Sequence, residues 1–224
     1  MRRGKQGGGG AKGARRRAVP STRYTDFVQR RRDELCFLAW GAGFVLAWRL
    51  GSGGVNLVAL DPPSLALPAW VLLVAGVGLR VWAAASLEKN FFTRPHGPYL
   101  LVRHPLYLGT MLISLSFFVT TGLVVGGSVL WAGLVAAVFL PVVRKEEREL
   151  SAWFPGTYPA YVRRVPRLLP DPRALPRALT SRGSSARLVA RNFGLRALWF
   201  IPVVPALGLL LGYLKVWCPA LPCL

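Results

Sequence analysis

The sequence predicts an all-α fold, a polytopic membrane helix bundle with about five transmembrane helices. Hydrophobic residues make up 53% of the 224 residues and charged residues only 17%, whereas soluble domains carry about 25% charged residues. The apolar residues are concentrated in long runs, which is typical of membrane-spanning segments. The basic residues, 29 against 9 acidic ones, collect between these runs. This balance favours contact with an anionic membrane surface.

The first third of the chain predicts a tail and two crossings. Residues 1–32 hold 11 of the 29 basic residues and a run of four glycines, and we expect a disordered basic tail because this composition cannot bury a core. The next segment, 35–50, would span roughly 24 Å as a helix, which is slightly less than the thickness of a bilayer core. We therefore expect the transmembrane helix to include some of the flanking residues. A second apolar segment runs from about Leu65 to Leu87. Arg80 interrupts it close enough to the end to reach the interface.

The stretch 105–143 contains no Asp, Glu, Lys, Arg or His and predicts two antiparallel helices. Pro105 suits a first helical turn because its missing N–H would be unsatisfied there anyway. A turn near Gly122 separates this helix from one that returns from about Val124. Carboxylates follow position 143 and would be unfavourable at the negative end of the dipole of a helix that ended there. We therefore expect the returning helix to continue into water as far as Trp153. Small residues that would allow close packing in this hairpin stand at 126, 127, 132, 133, 136 and 137.

The distribution of basic residues predicts the orientation of the bundle. Twelve lie between Arg144 and Arg196, and none lies between Gly51 and Pro68. By the positive-inside rule, the N-terminus, the 88–104 loop and the 144–196 region are cytoplasmic, and a fifth crossing puts Cys218 and Cys223 outside. The predicted divisions are a tail (1–32), a membrane core (33–170), a basic cytoplasmic linker (171–196) and a C-terminal transmembrane helix (197–217).

Titratable residues stand at both mouths of the apolar hairpin. Arg103 and His104 come directly before it, and Glu146 and Glu147 come shortly after it. Because the chain crosses an apolar layer and returns, both ends lie on the same side. A cation, an imidazole and two carboxylates would then meet at the membrane edge, where polar clusters are costly and usually functional.

The two motifs at these ends, GPYLLVRHPLYLG (97–109) and RKEEREL (144–150), are followed by Y..Y and VPRLLP. Together they resemble the isoprenylcysteine carboxyl methyltransferase and phospholipid methyltransferase superfamily of integral-membrane enzymes. The resemblance implies S-adenosylmethionine in a cytoplasm-facing pocket, with the methyl acceptor arriving from the lipid side. It implies that Glu146 holds the cofactor with Glu147 beside it. The remaining cofactor-contacting positions that it implies are Tyr99, His104, Pro105, Leu106 and Tyr107.

The chemistry of these residue types suits that cofactor. A carboxylate accepts hydrogen bonds from its ammonium or ribose, and Arg103 or His104 can donate to its carboxylate. Carboxyl-methylating relatives carry an acceptor-facing arginine where this chain has Val142, so Arg144 is the candidate substitute. We therefore assign catalytic roles to Arg103 and Arg144. No metal site is predicted, since the three cysteines lack metal-ligand spacing.

Two other interpretations of the same motifs stay open. Membrane sterol and steroid reductases share an RHP-x-Y core and use NADPH, but their usual Asn and Glu are replaced here by Leu106 and Thr110. A non-catalytic membrane scaffold is the other alternative, since FFTRPH stands where relatives have part of the cofactor wall. The expected partners are membrane lipids and a hydrophobic acceptor carrying a carboxylate, thiol or amine, and no nucleic acid.

Overall fold

The computed structural model describes residues 23–50, 53–87, 95–181 and 198–217. This part of the chain is built of helices and loops and contains no β-strand, which confirms the predicted all-α class. The α-helices are α1 (Arg23–Arg49), α2 (Pro63–Ala85), α3 (Pro105–Thr120), α4 (Val124–Leu134), α5 (Leu140–Trp153), α6 (Tyr158–Arg164), α7 (Leu175–Thr180) and α8 (Phe200–Trp217).

The apolar hairpin forms as the sequence predicts. Pro105 is the first residue of α3, and the chain turns at Gly122, whose φ of +75° suits glycine. Five π-helical residues, Val135–Phe139, join α4 to α5, so that 124–153 is one continuous helix ending at Trp153. The charged residues of α5, 144–149, therefore occupy the two helical turns that directly follow the apolar stretch.

A close glycine contact joins α2 to α3. A Cβ added at Gly109 would lie 2.8 Å from the carbonyl oxygen of Gly76, and one added at Gly76 would lie 2.8 Å from that of Gly109. A Cβ added at Gly127 would likewise lie 3.1 Å from the Phe118 carbonyl oxygen. Gly133, however, has no neighbour within 4 Å of its Cβ position. The prediction of close packing is therefore wrong for Gly133, which faces outward.

The first helix begins earlier than the sequence predicts. Residues 23–32 belong to α1 and not to a disordered tail; residues 1–22 lie outside the described part. The Tyr24 hydroxyl donates to the Ala137 carbonyl at 2.5 Å, and Lys145 Nζ lies 2.5 Å from Asp26 Oδ1. These long-range contacts, which composition does not reveal, hold the polar start of α1 against the 124–153 helix.

The core lies between α1, α2, α3 and the 124–153 helix, and α8 closes it. The Trp40 ring stacks on Phe117 and meets the edge of Phe200, each with ring centroids 5.4 Å apart. In the part of the chain that the structure describes, two helices, Pro63–Ala85 and Val124–Trp153, are long and apolar enough to cross a membrane. Pro105–Thr120 and Phe200–Val216 are apolar but shorter. The five crossings and their orientation stay predictions. Part of the predicted linker lies outside the described residues, as do Cys218 and Cys223.

Candidate functional site

One pocket lies where the start of α3, the polar end of α5 and the short helix α6 meet. It encloses about 440 Å³ of empty space, including the part that is open to solvent. Its lining residues are Leu87, Tyr99, Arg103, His104, Pro105, Leu106, Tyr107, Glu146, Leu150, Tyr158 and Tyr161. The two motifs that the sequence places at the ends of the apolar hairpin therefore supply opposite walls of one cavity.

The 97–104 segment owes its path to Gly97. This glycine has a φ of +59°, and a Cβ there would collide with the Ser86 hydroxyl. Its N–H donates to Ser181 Oγ at 2.7 Å. A 3₁₀ turn, Gly97–Leu100, follows and leads to α3. Only glycine combines this backbone conformation with so close a neighbour.

Three hydrogen bonds fix this segment to the chain that follows α5. The Tyr161 hydroxyl donates to the Tyr99 carbonyl at 2.8 Å. The Arg103 N–H donates to the Pro166 carbonyl at 2.8 Å, and the Asp171 N–H donates to the Leu101 carbonyl at 3.0 Å. These bonds make 97–104 and 158–171 one cap over the pocket.

Glu147 is the centre of a buried ion network behind the pocket. Its carboxylate accepts from Arg103 Nη1 at 2.7 Å and from Arg167 Nη2 at 2.6 Å, and His104 Nε2 lies 3.2 Å away. Glu147 stands beyond the apolar stretch, in the polar end of α5. Burial alone would raise its pKa, but the bonds from His104 and Arg167 and the charge of Arg103 lower the pKa to about 2. The carboxylate is thus ionised and occupied by protein partners.

Glu146 has a different environment from its neighbour. It lines the pocket, and its Oε2 is buried with no hydrogen-bond partner among the described residues. His104 Nδ1 lies 3.8 Å from this oxygen. A buried carboxylate oxygen without a donor is unfavourable, so a cationic or hydroxyl donor in the pocket would stabilise it.

The structure brings together seven of the nine residues that the sequence singles out. Those that line the pocket are Tyr99, Arg103, His104, Pro105, Leu106, Tyr107 and Glu146. Glu147 lies directly behind them. Arg144 is exposed on the outer side of α5 and does not line the pocket, while Val142 is fully buried. The expectation that Arg144 faces an acceptor is not met, because two residues of helix turn its side chain away from the buried face.

Three residues of the site escaped the sequence reasoning. Arg167 completes the Glu147 network, and Tyr158 and Tyr161 line the pocket. Burial, aided by the negative charge of Glu147, raises the pKa of Tyr158 to about 12. All three belong to the Y..Y and VPRLLP motifs. The motifs marked these positions, but they did not indicate which residues each side chain contacts.

Two curated proteins are similar to parts of this chain. Methanethiol S-methyltransferase 2 of Bradyrhizobium diazoefficiens is 43% identical over 72 residues, which are 32% of this chain and 26% of that protein. The cobalt-zinc-cadmium resistance protein CzcN of Cupriavidus metallidurans is 34% identical over 113 residues, 50% of this chain and 51% of that protein. No family model and no solved structure matches the chain.

The matched region spans about half or less of each curated relative. The similarity to a methyltransferase therefore supports methyl transfer as a broad class. This partial similarity does not indicate which substrate the chain uses.

Proposed function

We propose that this chain is an integral-membrane methyltransferase that uses S-adenosylmethionine and modifies a lipid-like or small hydrophobic acceptor. The observation that carries the proposal is the pocket that joins Tyr99, His104 and Tyr107 to the unpartnered oxygen of Glu146. The resemblance of both motifs to the isoprenylcysteine carboxyl methyltransferase superfamily supports the same assignment. The partial similarity to a methanethiol methyltransferase supports it independently of the pocket.

The donors and acceptors of the pocket suit this cofactor. Glu146 would accept hydrogen bonds from the ammonium or the ribose hydroxyls, filling the place of its missing donor. Arg103 or His104 would donate to the cofactor's carboxylate. The Tyr99 and Tyr107 rings would lie near the sulfonium, an attraction worth about 0.5–2 kcal/mol. In this assignment Glu147 does not touch the cofactor and instead positions Arg103 and His104.

The protein's contribution to the reaction is placement. When bound, the cofactor supplies an electrophilic methyl carbon: the acceptor's lone pair forms the new bond, and the electrons of the broken C–S bond remain on the departing sulfur. Methyl transfer requires an in-line approach in a dry pocket more than acid–base help. The aromatic and aliphatic lining, with Leu106, Leu150 and Tyr161, is suited to exclude water.

A membrane location agrees with the outward faces of two long apolar helices, α2 and the 124–153 helix. Only 28% of the apolar window of α2 and 22% of that of the 124–153 helix is buried within the protein. Exposed apolar residues on these faces include Val71, Val125 and Val129. Such surfaces favour lipid contact. We propose that the cofactor enters from the cytoplasm and that the acceptor enters laterally from the lipid.

The first test is cofactor binding by purified protein in detergent. Glu146→Ala and His104→Ala should each weaken S-adenosylmethionine binding about tenfold or more, the effect of losing a charge-assisted hydrogen bond. Glu34→Ala, a carboxylate change on the exposed side of α1 where Glu34 pairs with Arg31, is the matched control. Normal binding by both pocket variants would reject the site.

The second test is transfer of a labelled methyl group into a lipid and small-molecule extract. A thioether product, formed by methylation of a thiol, would agree with the activity for which the Bradyrhizobium relative is named. Thermal stabilisation by NADPH but not by S-adenosylmethionine would replace the proposal with the reductase interpretation. Cofactor binding without transfer to any acceptor would favour a scaffold.

A further inference from the structure

Two arginines outside the pocket lining lie against its α3 wall. Arg80 of α2 donates through Nη1 to the Thr110 hydroxyl and lies 3.5 Å from the Leu106 carbonyl. Arg32 of α1 places its Cζ 5.4 Å from the centre of the Tyr107 ring. Leu106 and Tyr107 are consecutive, and both line the pocket. Two guanidinium groups from two other helices therefore converge on one turn of α3.

Among the described residues, Arg32 and Arg80 share one nearby carboxylate side chain. No carboxylate in this part of the chain lies within 4 Å of the Arg80 side chain, and the Arg80 Nε is buried without a hydrogen-bond partner. The acidic group near both is Asp33, which lies 3.1 Å from Arg32 Nε with 80% of its side chain exposed. Two cations thus face one solvated anion: Arg32 is paired with Asp33, while Arg80 has neutral hydrogen-bond partners and no carboxylate. This excess of positive charge in a half-buried place favours a further anion.

The absence of a side chain at Gly109 leaves room for the aliphatic part of the Arg80 side chain. A Cβ on Gly109 would lie 2.6 Å from Arg80 Cγ, so the glycine lets this side chain pass between α2 and α3. The direction of Arg80 is therefore set by packing as well as by its hydrogen bonds. Its guanidinium lies beside Leu106, in the first turn of α3, and its reach to the interface stays a prediction.

Tyr107 has charged neighbours of both signs. Tyr107 interacts electrostatically with Glu146 of α5 and with Arg32 of α1, while Arg80 interacts with Arg32, Asp33 and Cys36. The Glu146 side suits the cationic parts of a cofactor. The arginine side suits an anion.

Building on the proposed function, we propose that Arg32 and Arg80 bind the negative charge of the methyl acceptor. The acceptor is then an anionic amphiphile, a thiolate or a carboxylate on an apolar chain, and not an amine. Such a nucleophile needs no base at the transfer step, because its proton leaves to water beforehand. A carboxyl group is already ionised at neutral pH, and the two nearby cations favour the ionisation of a thiol. The same pair replaces the acceptor-facing arginine that Val142 and the outward Arg144 do not supply.

The binding test compares three probes with equal chains: decanoate, decanol and decylamine at neutral pH. Decanoate should raise the melting temperature of the detergent-solubilised protein most, and Arg32→Gln/Arg80→Gln should weaken its binding about tenfold, as expected for a lost charge-assisted contact. Equal stabilisation by decylamine and decanoate, or unchanged decanoate binding in the double variant, would overturn the proposal.

The control addresses the formal net charge of +20, which attracts anions without a site. Arg30→Gln/Arg49→Gln removes the same charge from exposed positions of α1 and should leave decanoate binding unchanged. Equal losses in both double variants would show a general charge effect and reject the site. Arg80→Lys keeps the cation and should retain the preference for decanoate, even where Arg80→Gln fails to fold.

The turnover test separates this proposal from the proposed function. With S-adenosylmethionine, decanethiol or decanoate should be methylated in preference to decylamine, and the Arg32/Arg80 variant should lose this preference while binding the cofactor normally. Efficient methylation of decylamine would reject the anionic acceptor but keep the methyltransferase. Absence of cofactor binding in the wild type would reject the methyltransferase, and the decanoate result would still decide whether the anion site exists.

Discussion

The Arg103 guanidinium lies 2.7 Å from Glu147 Oε1, across 44 residues of sequence. Both side chains are only 10% exposed. This pair closes the apolar hairpin at its polar end, and Arg167 joins the same carboxylate from the cap. The candidate site is therefore supported by a buried ion network that shares Arg103 and His104 with the pocket lining.

Glu147→Gln should destabilise the protein at neutral pH by about 3 kcal/mol, near the lower end of the range for a buried ion pair that loses one partner. The folded-state pKa of about 2 lies below the ordinary value of 4.5. The stabilisation by Glu147 is thus fully present above about pH 4.5 and is lost as the pH falls toward 2. Unfolding of both proteins at several pH values should show their stabilities converging over this interval. A constant difference would contradict the role of the charge.

Gly97→Ala should destabilise the protein by about 1–3 kcal/mol, because a left-handed backbone is strained for other residues and Ser86 occupies the Cβ position. Gly78→Ala is the control, since no atom lies within 4 Å of its Cβ position. Thermal unfolding in detergent measures both. Equal behaviour of the two variants would show that the 97–104 segment tolerates another path.

Gly109→Ala should destabilise the α2–α3 contact by about 1–3 kcal/mol, the usual effect of overpacking, and should impair turnover of a lipid-like acceptor more than cofactor binding. The new Cβ would press on the Arg80 stem and the Gly76 carbonyl. Gly133→Ala, which adds its Cβ to open space, should leave both properties unchanged. Impaired turnover in Gly133→Ala would assign its outward face a function that packing does not explain.

Asp26→Asn should loosen the first turns of α1. Lys145 is buried, with 9% of the residue exposed, and would keep only Glu149 at 3.7 Å as an ionic partner. Limited tryptic cleavage at Arg30–Arg32 should become faster than in the wild type. Asp33→Asn makes the same chemical change on the same helix at a side chain that is 80% exposed. It should have a smaller effect, and the reverse order would contradict the role of the Asp26–Lys145 pair.

The sequence determined the fold class and the position of the hairpin. Helix type and length follow from local properties: an apolar run, Pro105 at the start of α3, a left-handed glycine at 122 and a helix that continues through its acidic residues to Trp153. These depend on neighbours along the chain, so the residues alone carry them. The two motifs also indicated which ends would meet, since a chain that crosses an apolar layer and returns has both ends on one side.

Only the tertiary structure decided the partners of each charge. Glu146 and Glu147 are adjacent in sequence, yet one lines the pocket and the other is held by Arg103 and Arg167. Arg144, the candidate substitute for the arginine missing at Val142, is exposed and does not line the pocket, and Arg80 lies beside Leu106. Which face of a helix is buried, and which cation reaches a carboxylate, depends on helices far apart in sequence and on glycines that let them approach. The local sequence pattern around each residue does not indicate how closely these distant helices approach each other.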